Sequence, residues 1–172
     1  MADLSRRHLF TRKKFDSRQV TLPWLVEQSS FTDDCTRCGK CIEHCESNII
    51  IKGDGGFPTI DFSRGECTFC YQCARACPEP LFSAEHENPW SAKATISSNC
   101  LAFHQIECRS CGDMCEPLAI TFRLRPGDVA LPTIDIADCT GCGACVAACP
   151  STAITVNNEH LNPSESKNYD TQ

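Results

Sequence analysis

Sixteen of the 172 residues are cysteine, and they fall into four tight groups. Cys35, Cys38, Cys41 and Cys45 form the first and Cys67, Cys70, Cys73 and Cys77 the second; Cys100, Cys108, Cys111 and Cys115 form the third and Cys139, Cys142, Cys145 and Cys149 the fourth. Groups one, two and four share the spacing C-x2-C-x2-C-x3-C. Thiols set this closely end as disulfides, as zinc ligands or as iron–sulfur ligands, and each outcome dictates a different fold. Aromatic residues make up only 8% of the chain. Little material exists for one large apolar core, so the cysteine framework must supply part of the stability.

Spacing separates the three chemistries. Four thiols within eleven residues crowd the geometry of one zinc ion, which is usually held by C-x2-C pairs from separate turns. The same crowding opposes disulfides. A [4Fe–4S] cube offers four irons at tetrahedral corners, each needing one thiolate, and two intervening residues let successive side chains reach neighbouring corners. Compartment points the same way. Ser5-Arg6-Arg7-His8-Leu9-Phe10 looks like a twin-arginine export motif, but Thr11-Arg12-Lys13-Lys14 follows where an apolar segment should stand. The expectation is a cytoplasmic protein with reduced thiols and, lacking any run of about 18 apolar residues, no integral membrane segment.

Charge is uneven. Residues 1 to 18 carry six Lys/Arg against two Asp/Glu, and the remainder carries ten basic against twenty acidic residues. Arg6, Arg7, Arg12, Lys13 and Lys14 therefore make a basic leader on an acidic body, either a solvated tail or a segment that docks on an acidic patch of a partner. An acidic body argues against nucleic acid as a partner.

The chain is also a repeat. A shift of 72 maps the second group onto the fourth, and a shift of 70 maps Cys38, Cys41 and Cys45 onto Cys108, Cys111 and Cys115. Pro58-Thr59-Ile60-Asp61 before group two recurs as Pro132-Thr133-Ile134-Asp135 before group four. This is a duplicated two-quartet module. The third group breaks the rule: Gln105 stands where Cys35 would map, and the spare thiol is Cys100, eight positions before Cys108. Either Cys100 reaches that site through a longer loop, or the site has three ligands and a labile or missing iron. The four-ligand arrangement accounts for the sixteenth cysteine.

Asn48-Ile49-Ile50-Ile51 and Leu118-Ala119-Ile120-Thr121-Phe122 pair with the Pro-Thr-Ile-Asp segments as predicted hairpins, turning at Gly53–Gly56 and Pro126–Asp128. The glycines around Asp54 lack the strand-to-helix context of a phosphate loop. The predicted fold class is α+β: tandem, loop-rich, cluster-stabilised modules at 32–84 and 99–156. A basic and flexible leader (1–31), a linker (85–98) and a polar tail (157–172) complete the chain. The histidines His8, His44, His86, His104 and His160 have no partner spacing and read as surface or packing residues, and no catalytic constellation stands out.

The cysteine runs resemble those of bacterial two-[4Fe–4S] ferredoxins, where the fourth cysteine of each run ligates the other cluster. Carried over, the resemblance implies four sets: Cys35, Cys38, Cys41 with Cys77; Cys67, Cys70, Cys73 with Cys45; Cys139, Cys142, Cys145 with Cys115; and Cys108, Cys111, Cys149 with Cys100. Pro78 and Pro150 follow groups two and four as in that run, whereas Glu46 and Glu116 follow groups one and three. Small residues such as Gly39, Gly141, Gly143 and Ala144 admit backbone N–H donors to the sulfides. The leader, Cys67-Thr68-Phe69-Cys70-Tyr71, Cys100-Leu101-Ala102-Phe103, Glu107-Cys108-Arg109 and Cys115-Glu116-Pro117 together resemble the NapF family, ferredoxin-type accessory proteins of periplasmic nitrate reductase systems. That resemblance implies a cytoplasmic non-enzyme with four [4Fe–4S] clusters, or three if the irregular site is empty. It also implies contact with the catalytic molybdenum subunit before export, assisting its maturation by supplying electrons or loading its cluster. The alternatives are an interaction module whose clusters only brace the fold and a generic electron shuttle.

Overall fold

β-Branched runs after the first and third cysteine groups build the two hairpins that frame the protein. The structure is a computed structural model describing residues 20–26 and 31–158. Strand β1 (Ile50–Lys52) pairs antiparallel with β2 (Pro58–Ile60), Ile50 facing Ile60. In the second half β4 (Ile120–Arg125) pairs with β5 (Asp128–Ile134), Ile120 facing Ile134. Both hairpins use the segments anticipated from the sequence.

The described residues also form five α-helices of about one turn: α1 (Phe31–Asp34), α2 (Lys40–Glu43), α3 (Gln72–Arg75), α4 (Ser110–Asp113) and α5 (Ala144–Ala148). Helices this short do not persist alone, because nucleation costs more than one turn returns. Each of the last four buries the third cysteine of a group: Cys41, Cys73, Cys111 and Cys145. The fourth cysteine closes the same turn, its N–H donating three residues back: Cys45 to Ile42, Cys77 to Ala74, Cys115 to Gly112 and Cys149 to Val146.

Three stretches expected to be passive carry structure. The linker holds strand β3 (Ala92–Ile96), which pairs antiparallel with β6 (Ile154–Asn158). Ala92 and Ala94 are buried while Lys93 and Thr95 are not, the period-2 alternation of a half-buried strand. Strand β6 also takes the first two residues of the predicted tail, and Asn158 is buried. In the leader, Val20, Leu22 and Trp24 are buried and Leu25 bridges to Phe82, the first-half counterpart of the β3–β6 pairing. Val20 and Leu22 join one buried cluster with Ile49, Ile50 and Leu81. Arg6, Arg7, Arg12, Lys13 and Lys14 lie outside the described residues.

The core is thin. Leu22 and Ile49 are its largest fully buried side chains, and much of the remainder is alanine and cysteine. The halves meet where the turn Phe62–Arg64 packs on α5. There the Cys67 N–H donates to the Cys142 carbonyl at 2.8 Å, and Trp90 Nε1 donates to the Thr140 carbonyl at 2.9 Å. Edge-on aromatic contacts run from Tyr71 to Trp24, Phe69, Trp90 and Phe62, with centroids 5.0 to 6.2 Å apart.

Candidate functional site

Among the described residues, the repeated helix-and-hairpin geometry produces at least three recesses walled by four thiols. One is lined by Cys35, Cys38, Cys41 and Cys77 beneath Leu22 and Phe31. A second is lined by Cys67, Cys70, Cys73 and Cys45, with Trp24, Ile49, Ile60 and Tyr71 around them. The third is lined by Cys139, Cys142, Cys145 and Cys115, against Ala94, Pro117 and Ile120. In every recess three cysteines come from one run and the fourth from its neighbour, because the closing cysteine of each one-turn helix points away from the others.

The thiols surround volumes rather than a point: among the described residues no three Cys, His, Asp or Glu side chains gather as they would around a single ion. All sixteen cysteines are free of disulfides. Backbone conformation repeats with them. Arg37, Phe69 and Gly141, each just before the second cysteine of a run, adopt left-handed φ of 56°, 54° and 75°. Asn48, Leu118 and Thr152, three residues past a fourth cysteine, do so at 55°, 57° and 50°. Such residues turn successive N–H groups to one side, the concavity found around many iron–sulfur sites. Outside glycine each costs about 1 kcal/mol or more, so something at the site must offset the strain. Four thiols per recess, shielding apolar walls and these N–H concavities fit [4Fe–4S] groups.

Two family models described as 4Fe-4S dicluster domain match residues 34–82 and 106–160. The chain is 46% identical to the ferredoxin-type protein NapF of Escherichia coli (strain K12) over 92% of its length and 97% of that protein. It belongs to the NapF family.

A second NapF, from Haemophilus influenzae (strain Rd), is 52% identical over 78% of this chain and 77% of its own. The ferredoxin-type protein NapG of Escherichia coli (strain K12) is similar at 29% identity over 74% of this chain and 64% of its own. The irregular third segment keeps this chain from being two identical dicluster halves. Cys100 precedes the matched range 106–160, and its turn is tied to the segment that follows Cys149. Its N–H donates to the Ser97 carbonyl, and the Ser97 N–H donates to Ala153, just past Cys149. Leu101–His104 form a short 3-10 turn that carries the chain from Cys100 toward Cys108.

Burial and proximity govern the thiols of this NapF-family protein. Burial pushes Cys41 up to about 11, with the thiols of Cys35, Cys77 and Cys38 adding to it. Cys111 is pushed to about 11 by burial, with the nearby thiols of Cys100 and Cys108 adding to it. Burial takes Cys67 and Cys73 to about 12. Cys145 reaches about 12 by burial together with Cys142, Cys139, Cys111 and Cys115. Cys149 differs: burial raises it, but the Ser151 hydroxyl and the N–H groups of Ala153, Ser151 and Ile154 outweigh that and leave it below the usual range.

The sequence reading missed Trp24 and Tyr71 as recess walls. Trp24 donates from Nε1 to the Glu87 carbonyl at 3.0 Å, and Tyr71 from its hydroxyl to the Ser83 carbonyl at 2.6 Å. The signal for Trp24 was a tryptophan flanked by apolar residues inside the stretch read as a basic, flexible leader. His44 and His104 hydrogen-bond the carbonyls of Lys40 and Ser98 from exposed positions. Among the described residues no helix is long and apolar enough to cross a membrane.

Proposed function

We propose that this chain is an electron-transfer accessory protein holding four [4Fe–4S] clusters on its sixteen cysteines. On this reading it assists cytoplasmic maturation of the catalytic molybdenum subunit of periplasmic nitrate reductase. The observation that carries the reading is the composition of the recesses, where each complete quartet draws one thiol from the neighbouring run. The fourth quartet is Cys100, Cys108, Cys111 and Cys149. NapF-family membership supports the assignment of partner.

When bound, such groups supply reversible one-electron storage at potentials set by their surroundings. The chain's own residues do the rest. The cysteines anchor the groups, and left-handed residues such as Arg37 and Phe69 direct N–H donors toward sulfur. Leu22, Phe31, Trp24 and Tyr71 keep water from two of the recesses. The basic leader, through Arg6, Arg7, Arg12, Lys13 and Lys14, docks on an acidic patch of the partner.

A second reading has its own observation. The thin apolar core means that the groups also brace the fold, so an interaction module with redox-silent clusters is the rival; a generic electron shuttle is the other. Anaerobically purified protein should contain about sixteen irons and about sixteen acid-labile sulfides per chain. It should also capture the molybdenum subunit before export. Full maturation of the reductase by a folded Cys67→Ala or Cys139→Ala protein that has lost the cluster of that one recess would favour the scaffold. Reduction of many unrelated acceptors without capture of the subunit would favour the shuttle.

A further inference from the structure

The four thiol quartets are not equivalent in position, and the inter-module contact orders them. Module one contributes Cys67 to the junction, and Cys67 lines the recess of Cys45, Cys70 and Cys73. Module two contributes Cys142, which lines the recess of Cys115, Cys139 and Cys145. The Cys67 amide donates directly to the Cys142 carbonyl at 2.8 Å. One hydrogen bond therefore links two ligand-bearing peptides from different modules. Around it, Phe62 fills the space over Gly143, the residue after Cys142, and Trp90 holds the Thr140 carbonyl two residues before it.

Within module one, the run exchange places Cys45 and Cys77 in each other's recess. That interleaves the outer quartet of Cys35, Cys38 and Cys41 with the inner one. In module two, Cys115 leaves the third run to line the inner recess. The third-run site at Cys100, Cys108 and Cys111 is left as the outer one. Resting on the reading of these quartets as [4Fe–4S] sites, we infer that the four sites form one series in the order first, second, fourth and third group. The Cys67–Cys142 hydrogen bond is the coupling between modules, and electrons enter at one outer site and leave at the other.

The transfer moves one electron at a time, with no bond made or broken. It comes from a one-electron donor docked at one outer end and passes to a one-electron acceptor docked at the other. Backbone hydrogen bonding between ligand peptides keeps the inner sites close and shields their junction from water. The chain is then a conductor through its whole length rather than two independent two-cluster units. The duplicated sequence is blind to this order, which follows from the way the modules face one another.

The test uses the full chain, purified anaerobically and reduced with dithionite. Iron and sulfide are counted first; an iron-free chain refutes the cluster reading itself and is distinct from failure of the series. In the loaded wild-type protein, pulsed dipolar electron paramagnetic resonance must show spins with more than one near partner, since the inner sites have a neighbour on each side. One partner per spin, the signature of two isolated pairs, overturns the series whatever any variant does. Phe62→Ala and Trp90→Ala, neither in a cysteine run, loosen the junction. At unchanged iron content they should reduce the microwave power at half-saturation severalfold, and Phe62→Leu, which keeps bulk over Gly143, should restore it. Unchanged relaxation in both alanine variants at full iron would also overturn the inference.

Discussion

The ring of Phe62 occupies the place that a Cβ on Gly143 would take, and Gly143 holds a left-handed φ of +86°. Two residues from different modules, 81 positions apart in the chain, are thus fitted to each other. Gly143→Ala should destabilise the loaded protein by about 2–4 kcal/mol, combining the left-handed penalty with overpacking against the ring. Gly127, at φ +75° with nothing within 4 Å, is the control, and Gly127→Ala should cost only about 1 kcal/mol. Anaerobic unfolding midpoints decide; equal effects would remove the packing contribution.

The exchange of fourth cysteines predicts which double variants are redundant. Cys38 and Cys77 line one recess and Cys70 another. Cys38→Ser with Cys77→Ser should lose about four irons, no more than one site, whereas Cys70→Ser with Cys77→Ser should lose about eight. Iron analysis of anaerobic preparations reads this directly. The opposite ranking would return each quartet to its own run.

Cys100 stands eight residues ahead of Cys108, yet its thiol helps to raise Cys111. Cys100→Ser should therefore remove about four irons or leave that site visibly labile to oxygen, while Gln105→Ala should leave iron at its wild-type level. Iron loss in the glutamine variant alone would shift the third site's fourth ligand away from Cys100.

Because the core holds few large side chains, removing iron should unfold the protein rather than merely bleach it. Metal binding and folding are one equilibrium when the ligands draw the chain together. Anaerobic chelation should abolish the far-ultraviolet circular dichroism of the hairpins along with the visible absorbance. Retention of that signal by a colourless chain would show that hydrophobic contacts suffice.

The sequence carried the chemistry and the local pieces. Spacing of Cys35, Cys38 and Cys41 marks three thiols that converge on one cube, and the isoleucines of Ile49–Ile51 mark a hairpin strand. Both are short-range consequences of residue order, written within about ten residues of one another. Tertiary structure alone decided that Ala92–Ile96 pairs with Ile154–Asn158, that Leu25 meets Phe82, and that Trp24 covers a thiol recess. It alone set Cys67 against Cys142. These contacts join residues about 20 to 75 positions apart, where closing the loop costs entropy that no local pattern records. Only the summed burial and hydrogen bonding of the whole fold offsets that cost.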